Sequence, residues 1–210
     1  GGADPGPSMR VLGVDAPLLW ESFRSLVGVR HNLPSELATV CVALAVVFFG
    51  RLSWYLHRTR RARKSIPLVM GGWGTRGKSG TERLKAAVFQ GLGYDAICKT
   101  TGCEAMLLHA PPGGRATELF LYRPYERATI WEHADTLDLA SRLGSPIFLW
   151  ECMALRPDYV EQLQLWWTRD DLSTITNTYP DHEDVMGPTG EDVAEVIARF
   201  MPKRALAITA

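Results

Sequence analysis

The chain of 210 residues has four cysteines, Cys41, Cys98, Cys103 and Cys152, and none stands in Cys-x-x-Cys spacing. The five histidines form no cluster with them, so a structural zinc site and a disulfide scaffold are both disfavoured, and the thiols read as reduced. Charge excess is also missing: Lys+Arg and Asp+Glu are 23 each, which argues against a uniformly basic nucleic-acid binder. No internal repeat is visible. Apolar residues at 46% exclude a disordered chain, and the length suits one ordinary domain rather than two.

The most informative absence is local. Between Leu37 and Thr81 there is no Asp or Glu, while eight cations lie there (Arg51, Arg58, Arg60, Arg61, Arg63, Lys64, Arg76 and Lys78). Within this stretch LATVCVALAVVFFG (37–50) continues to Leu56, long enough to span a bilayer as a helix. Trp54 and Tyr55 suit an interfacial belt, and HRTRRARK (57–64) supplies five permanent charges of the kind that stay on the cytoplasmic side. A buried core helix and an interfacial helix are the alternatives. The expected layout is an N-terminal segment 1–36, whose Gly/Pro-rich residues 1–8 read as an added remnant or a trimmed gene start with Met9 the candidate true start, then a membrane helix 37–56. A basic juxtamembrane linker 57–65 and an α/β domain 66–210 follow.

Beyond Lys64, short apolar runs alternate with amphipathic segments, the pattern of βαβ units around a mostly parallel sheet. Strands are expected at 66–70, 94–98, 146–150, 172–176 and 204–209, and helices at 79–92, 129–143, 157–167 and 190–200. The Pro-, Gly- and Arg-rich stretch 102–127, with a short LFLY segment, reads as an excursion or lid. A last strand at the chain end suggests that the natural polypeptide continues.

Gly72-Trp73-Gly74-Thr75-Arg76-Gly77-Lys78-Ser79 satisfies G-x-x-x-x-G-K-[ST], after an apolar strand and opening a helix. The chemistry follows from the residue types. Backbone N–H groups of Gly74 through Gly80 can cradle phosphates, Lys78 offsets the β/γ charge, and the Ser79 hydroxyl can ligate Mg²⁺. In an open α/β sheet, ligands collect beyond the carboxyl ends of the strands. Two further groups stand there: Glu151 after PIFLW, and the loop Asn177 to Asp184 after LSTIT, in which His182 lies among carboxylates suited to a hard cation.

The series GTRGKS, KTTG (99–102), ECMALRPDY (151–159) and NTYPDHEDVMGPT (177–189) resembles the capsule-type poly-γ-glutamate synthase family, catalytic subunits of the Mur ligase superfamily. The resemblance implies a P-loop central domain that uses ATP and Mg²⁺ to join glutamate units through the γ-carboxyl. It implies that Ser79 and Glu151 hold the Mg²⁺ on the β/γ phosphates, that Lys78 steadies those phosphates, and that Asn177 touches one of them. His182 would hold a second Mg²⁺ near the acceptor carboxylate, with Asp181 and Asp184 orienting its loop. Lys99, Thr100 and Thr101 could meet the acidic substrate, as could Arg123, Arg127, Glu132 and His133. Partners would be glutamate or a poly-γ-glutamate chain, the membrane and other membrane subunits of a capsule complex, with no nucleic acid. The implied location is a single-pass membrane protein with a cytoplasmic catalytic domain.

Two departures accompany the resemblance. Many Mur ligases carry a metal-bridging carbamylated lysine about fifteen residues after the Asp-His pair, where Ala194 to Arg199 holds no lysine. A C-terminal domain that closes over the nucleotide is also expected beyond Ala210. A reading from another class is a non-catalytic nucleotide-binding subunit of a membrane capsule or export complex. A P-loop kinase or transport ATPase would carry its own signatures and does not need the Asp-His loop.

Overall fold

Leu33 and Glu36 bracket the start of the longest helix. The Leu33 N–H donates to the Glu36 carboxylate at 3.0 Å and the Glu36 N–H returns to the Leu33 carbonyl at 3.0 Å, with Pro34 pre-set for the first turn. The computed structural model describes residues 10–11, 14–27, 33–102, 105–123, 128–152, 156–199, 201 and 206–209. They fall into two compact units, with the division in the chain between Trp54 and Tyr55. The first holds a two-residue ladder, β1 (Arg10–Val11) and β2 (Val14–Asp15), then α1 (Ala16–Val27) and most of α2 (Pro34–Ser65). Within α2 lies a stretch long and apolar enough to cross a membrane. Its Val42, Leu44, Val46, Val47, Phe48 and Phe49 are all exposed.

The last turns of α2 belong to the second unit. Thr59 and Ala62 are buried there. Arg58 pairs with Asp135 and, at 3.7 Å, with Asp138, and Arg63 pairs with Asp171 at 2.7 Å. Residues 57–65, expected as a linker, are thus helical and packed on the α/β domain. Its cations divide by helical face: Arg58 and Arg63 turn inward, while His57, Arg60, Arg61 and Lys64, spaced i, i+3, i+4 and i+7, are exposed.

The domain then runs β3 (Leu68–Trp73), α3 (Lys78–Gly91), β4 (Ala96–Thr100), β5 (Met106–Ala110), β6 (Thr117–Phe120), α4 (Trp131–Arg142) and β7 (Ile147–Glu151). After α5 (Pro157–Glu161) the chain tightens into a π-helical segment, Gln162–Trp167, before β8 (Leu172–Ile175), α6 (Glu183–Met186), α7 (Gly190–Arg199) and β9 (Leu206–Thr209). Seven strands form one sheet in the order β6-β5-β4-β7-β3-β8-β9. From β4 to β9 every pair is parallel, as the crossover pattern predicts. The stretch read as a lid departs from that expectation, because β5 and β6 extend the sheet as an antiparallel meander. The turn between them closes through the Gly114 N–H to the Pro111 carbonyl at 3.2 Å.

Helices α3 and α4 end alike. In α3 the Tyr94 N–H reaches the Phe89 carbonyl and the Gly93 N–H that of Gln90, with Gly93 at φ 87°, the left-handed stop that an L side chain resists. Burial sorts the strands' two faces. Met70, Cys98, Leu108 and Leu149 pack with Ala86 of α3. Val69, Trp73, Ile97, Phe148 and Trp150 pack with Ala62, Ala134, Leu137 and Leu163 on the opposite face. Between them β3 is lean. A side chain at Gly71 would meet the Asp170 carboxylate at 2.0 Å, and one at Gly72 would meet Glu82 at 2.0 Å.

Candidate functional site

Strand register brings the candidate residues to one edge. Gly72 of β3 pairs with Glu151 of β7, Trp73 with Ile175 of β8, and Lys99 of β4 with Trp150 of β7. The glycine-rich loop, Glu151, the 99–102 segment and the Asn177 segment therefore leave neighbouring strands at their carboxyl ends. This is where an open α/β sheet places its ligands.

The loop itself is held by the strand-end segment after β8. Gly74 takes φ 117°, and a side chain there would lie 2.4 Å from the Thr176 hydroxyl. Gly77, at φ 79°, caps α3. Asn177 is committed to this loop: its Oδ1 accepts from the Thr75 hydroxyl at 2.6 Å and the Arg76 N–H at 3.1 Å, and its Nδ2 donates to the Arg76 carbonyl at 2.8 Å. Asn177, expected on a phosphate, is bonded here to the loop that would form the phosphate cradle. Lys78 donates to the carbonyls of Gly74 at 2.8 Å and Thr75 at 3.2 Å, so its ammonium lies across the loop.

Ser79 and Glu151 come together as their chemistry requires. The serine hydroxyl donates to Glu151 Oε2 at 2.8 Å, and the same oxygen accepts the Thr101 N–H at 2.8 Å. Glu151 is 4% exposed, so its carboxylate is aimed by the fold and is not a solvated strand end. A hydroxyl and a carboxylate in contact offer two oxygen donors, a set that Mg²⁺ accepts when phosphate oxygens and water complete its shell. Among the described residues, no group of three or more His, Cys, Asp or Glu side chains could hold a metal by itself.

The residues expected on the substrate are placed differently. Lys99 and Thr100 are buried because β4 is an inner strand covered on both faces, and Thr101, just past its end, is buried as well. Lys99 presents no surface to a ligand; its ammonium lies 3.2 Å from Glu132. Burial lowers its pKa to about 8, against the Glu132 charge that favours the ammonium. Arg123 grips Glu132 with two bonds, at 2.9 and 3.1 Å. His133 is enclosed, bonds the Glu151 carbonyl at 3.1 Å and is held well below the usual imidazole range by desolvation and the Lys99 charge. Arg127 lies outside the described residues.

His182 stands apart from that cluster. It caps the four-residue α6 in a left-handed conformation, φ 52°, and its ring lies 3.8 Å from Asp181. Asp181 also accepts the His182 N–H at 3.0 Å, and Asp184 sits in the first turn of α6. Among the described residues no hydrogen bond or ion pair joins the 181–184 segment to Ser79 or Glu151.

Two acids escaped sequence reasoning. Glu82, fully enclosed against Gly72, is pushed up to about 7 by burial, with Lys85 at 2.5 Å opposing the shift. Asp170 is pushed up to about 6 by burial despite donors from Trp150, Ser173, Gln164 and Trp73. Glu82 carried a weak signal, an acid on the inward face of a helix; Asp170 carried none beyond its place before a strand.

No family model matches the chain. It is 31% identical over 163 residues, 78% of its length, to the capsule biosynthesis protein CapB of Bacillus anthracis. It is also 31% identical, over 68% of its length, to the PGA synthase CapB of Bacillus subtilis. The chain spans about a third of these curated relatives, 34% and 36%. Among solved structures, the FPGS–AMPPCP–folate complex superposes with a TM-score of 0.52 at 14% identity, covering 76% of this chain and 42% of that one. That likeness concerns the fold alone, and it is the one derived above.

Proposed function

We propose, from a chain that belongs to the Mur ligase superfamily and is related to the capsule-type poly-γ-glutamate synthases, that it is the ATP-binding part of an amide ligase. The observation that carries the reading is the 2.8 Å contact between Ser79 and Glu151, which unites a phosphate-loop hydroxyl with the carboxylate of the neighbouring strand.

In this reading Lys78 leaves the loop carbonyls to offset the β and γ phosphate charge, and the loop N–H groups from Gly74 to Gly80 receive the phosphate oxygens. Ser79 and Glu151 would hold Mg²⁺, which when bound supplies charge compensation as the γ-phosphoryl transfers. A glutamate carboxylate oxygen attacks the γ-phosphorus, the bond to the β-bridging oxygen breaks, and an acyl phosphate and ADP form. An amine then attacks the acyl carbon, loses its proton and expels phosphate, leaving an amide. His182, on its exposed loop, serves the acceptor side together with Asp181 and Asp184. The apolar stretch of α2 and the cations after it support a single-pass membrane location, cytoplasmic for the α/β domain, beside other subunits of a capsule-forming complex.

The test is glutamate-dependent phosphate release from ATP by the full-length protein. Release that requires glutamate and Mg²⁺ is expected. ATP binding with no glutamate-dependent release would overturn the ligase reading in favour of a non-catalytic subunit.

A further inference from the structure

The Glu151 carboxylate is held by a chain of contacts that the phosphate loop does not contain, and the following inference rests on the ligase reading of that site. Its Oε2 takes one bond from Ser79 and one from the Thr101 N–H. Thr101 is itself fixed at two further points. Its carbonyl accepts from Arg123 Nη2 at 3.3 Å, and its hydroxyl donates to the Glu151 carbonyl at 3.4 Å.

Arg123 is held in turn by the bidentate grip of Glu132. Lys99, two residues before Thr101 and fully buried, lies 3.2 Å from the same carboxylate. The next residue along α4, His133, bonds the Glu151 carbonyl. One turn of α4 therefore fastens the ends of both β4 and β7. The formal charges balance as two cations, Lys99 and Arg123, against two carboxylates, Glu132 and Glu151. Desolvated ion networks contribute little net stability, because taking the charges out of water cancels most of their attraction. Such a network is better explained by the geometry that it enforces.

We propose that Glu132 is a positioning residue for Glu151: acting through Arg123 and Thr101, it sets the orientation in which the Glu151 carboxylate meets Ser79 and a Mg²⁺·nucleotide. With Glu132 neutral, buried Lys99 and half-buried Arg123 face Glu151 unopposed and draw it away from Ser79. The consequence is confined to the metal-dependent part of nucleotide binding, since the loop N–H groups and Lys78 do not belong to the network.

The experiment is calorimetric titration of the chain with ADP, in EDTA and in excess Mg²⁺, for wild type, Glu132→Gln and Arg123→Lys, with thermal unfolding of each. Arg123→Lys keeps the charge and removes the fork, so it decides the matter if Glu132→Gln fails to fold. The expected result is metal-free affinity within about twofold of wild type and a Mg²⁺-dependent gain reduced about tenfold or more, the scale typical of altered outer-shell partners. An unchanged Mg²⁺ gain in the folded variants overturns the proposal. So does an equal loss with and without Mg²⁺, which marks a purely structural network. A wild-type chain that gains nothing from Mg²⁺ overturns the functional reading itself, and this inference with it.

Discussion

Trp150 donates its indole N–H to Asp170 Oδ1 at 2.5 Å, while Trp73, Gln164 and Ser173 all donate to Oδ2. Four donors on one buried carboxylate stabilise its charge, yet desolvation prevails and the group titrates near 6. Glu82, on the other face of β3, titrates near 7. Both folded values lie above the ordinary carboxylate ones, so from about pH 4 to 7 these two groups hold more protons in the folded state than in the unfolded one, while His133, kept neutral by burial, acts in the opposite sense below about 6.5. Their contribution to stability is complete below the unfolded values and is lost as pH rises through about 6 and about 7. The thermal unfolding midpoint of wild type, taken as its difference from that of Glu82→Gln, should therefore fall as pH rises from 5 to 8. The effect at Glu82 is on the order of 2–3 kcal/mol. A difference between the two midpoints that stayed constant across this range would contradict the assignment at Glu82.

Lys78→Ala should weaken ADP and ATP binding about a hundredfold or more, the scale of losing one preorganised charge at a phosphate. Calorimetry measures this directly. Thermal stability should change little, because in the folded chain Lys78 bonds only carbonyls of its own loop.

His182→Ala in the full-length protein should leave nucleotide affinity intact and suppress glutamate-dependent phosphate release about a hundredfold. His182 is exposed and shares no hydrogen bond with Ser79 or Glu151, which makes the separation of the two readouts sharp. Release within about twofold of wild type would remove His182 from the chemistry.

Truncation should discriminate between two nearby starting points. A chain beginning at Tyr55 keeps the Arg58 pairs, the Arg63–Asp171 pair and the buried Thr59 and Ala62, and it should unfold cooperatively. One beginning at Ser65 loses all of them and uncovers Trp131 and Trp167, which otherwise pack against Tyr55. It should be destabilised by at least about 3 kcal/mol. Circular dichroism melts of the two would show it, and equal midpoints would mean that the helix end contributes no packing.

The phosphate loop, its helix and the strands around it were legible because glycine spacing and apolar runs are local signals, and Glu151 stood out as a carboxylate ending an apolar strand. The meander was not legible. β5 and β6 are brief, and the surrounding prolines and glycines dominate the composition there. The side-chain expectations that changed share one cause: sequence identifies a charge without showing whether water reaches it. Lys99 looked like a substrate contact and is enclosed against Glu132. The basic cluster after the apolar run read as a juxtamembrane linker, yet two of its arginines pair with acids of the domain.

Trp73 and Trp150 meet edge to face, with ring centroids 5.6 Å apart and planes at 77°. Trp73 is the second residue of the phosphate loop and the last of β3, and both indoles are buried. Rigid, asymmetric aromatic neighbours absorb with strong near-ultraviolet dichroism, which vanishes when packing loosens while helices persist. The domain therefore carries a built-in optical label at the root of its loop. Its signal separates a variant with a disordered site from one whose site is intact but chemically silent, without any dye or bound ligand.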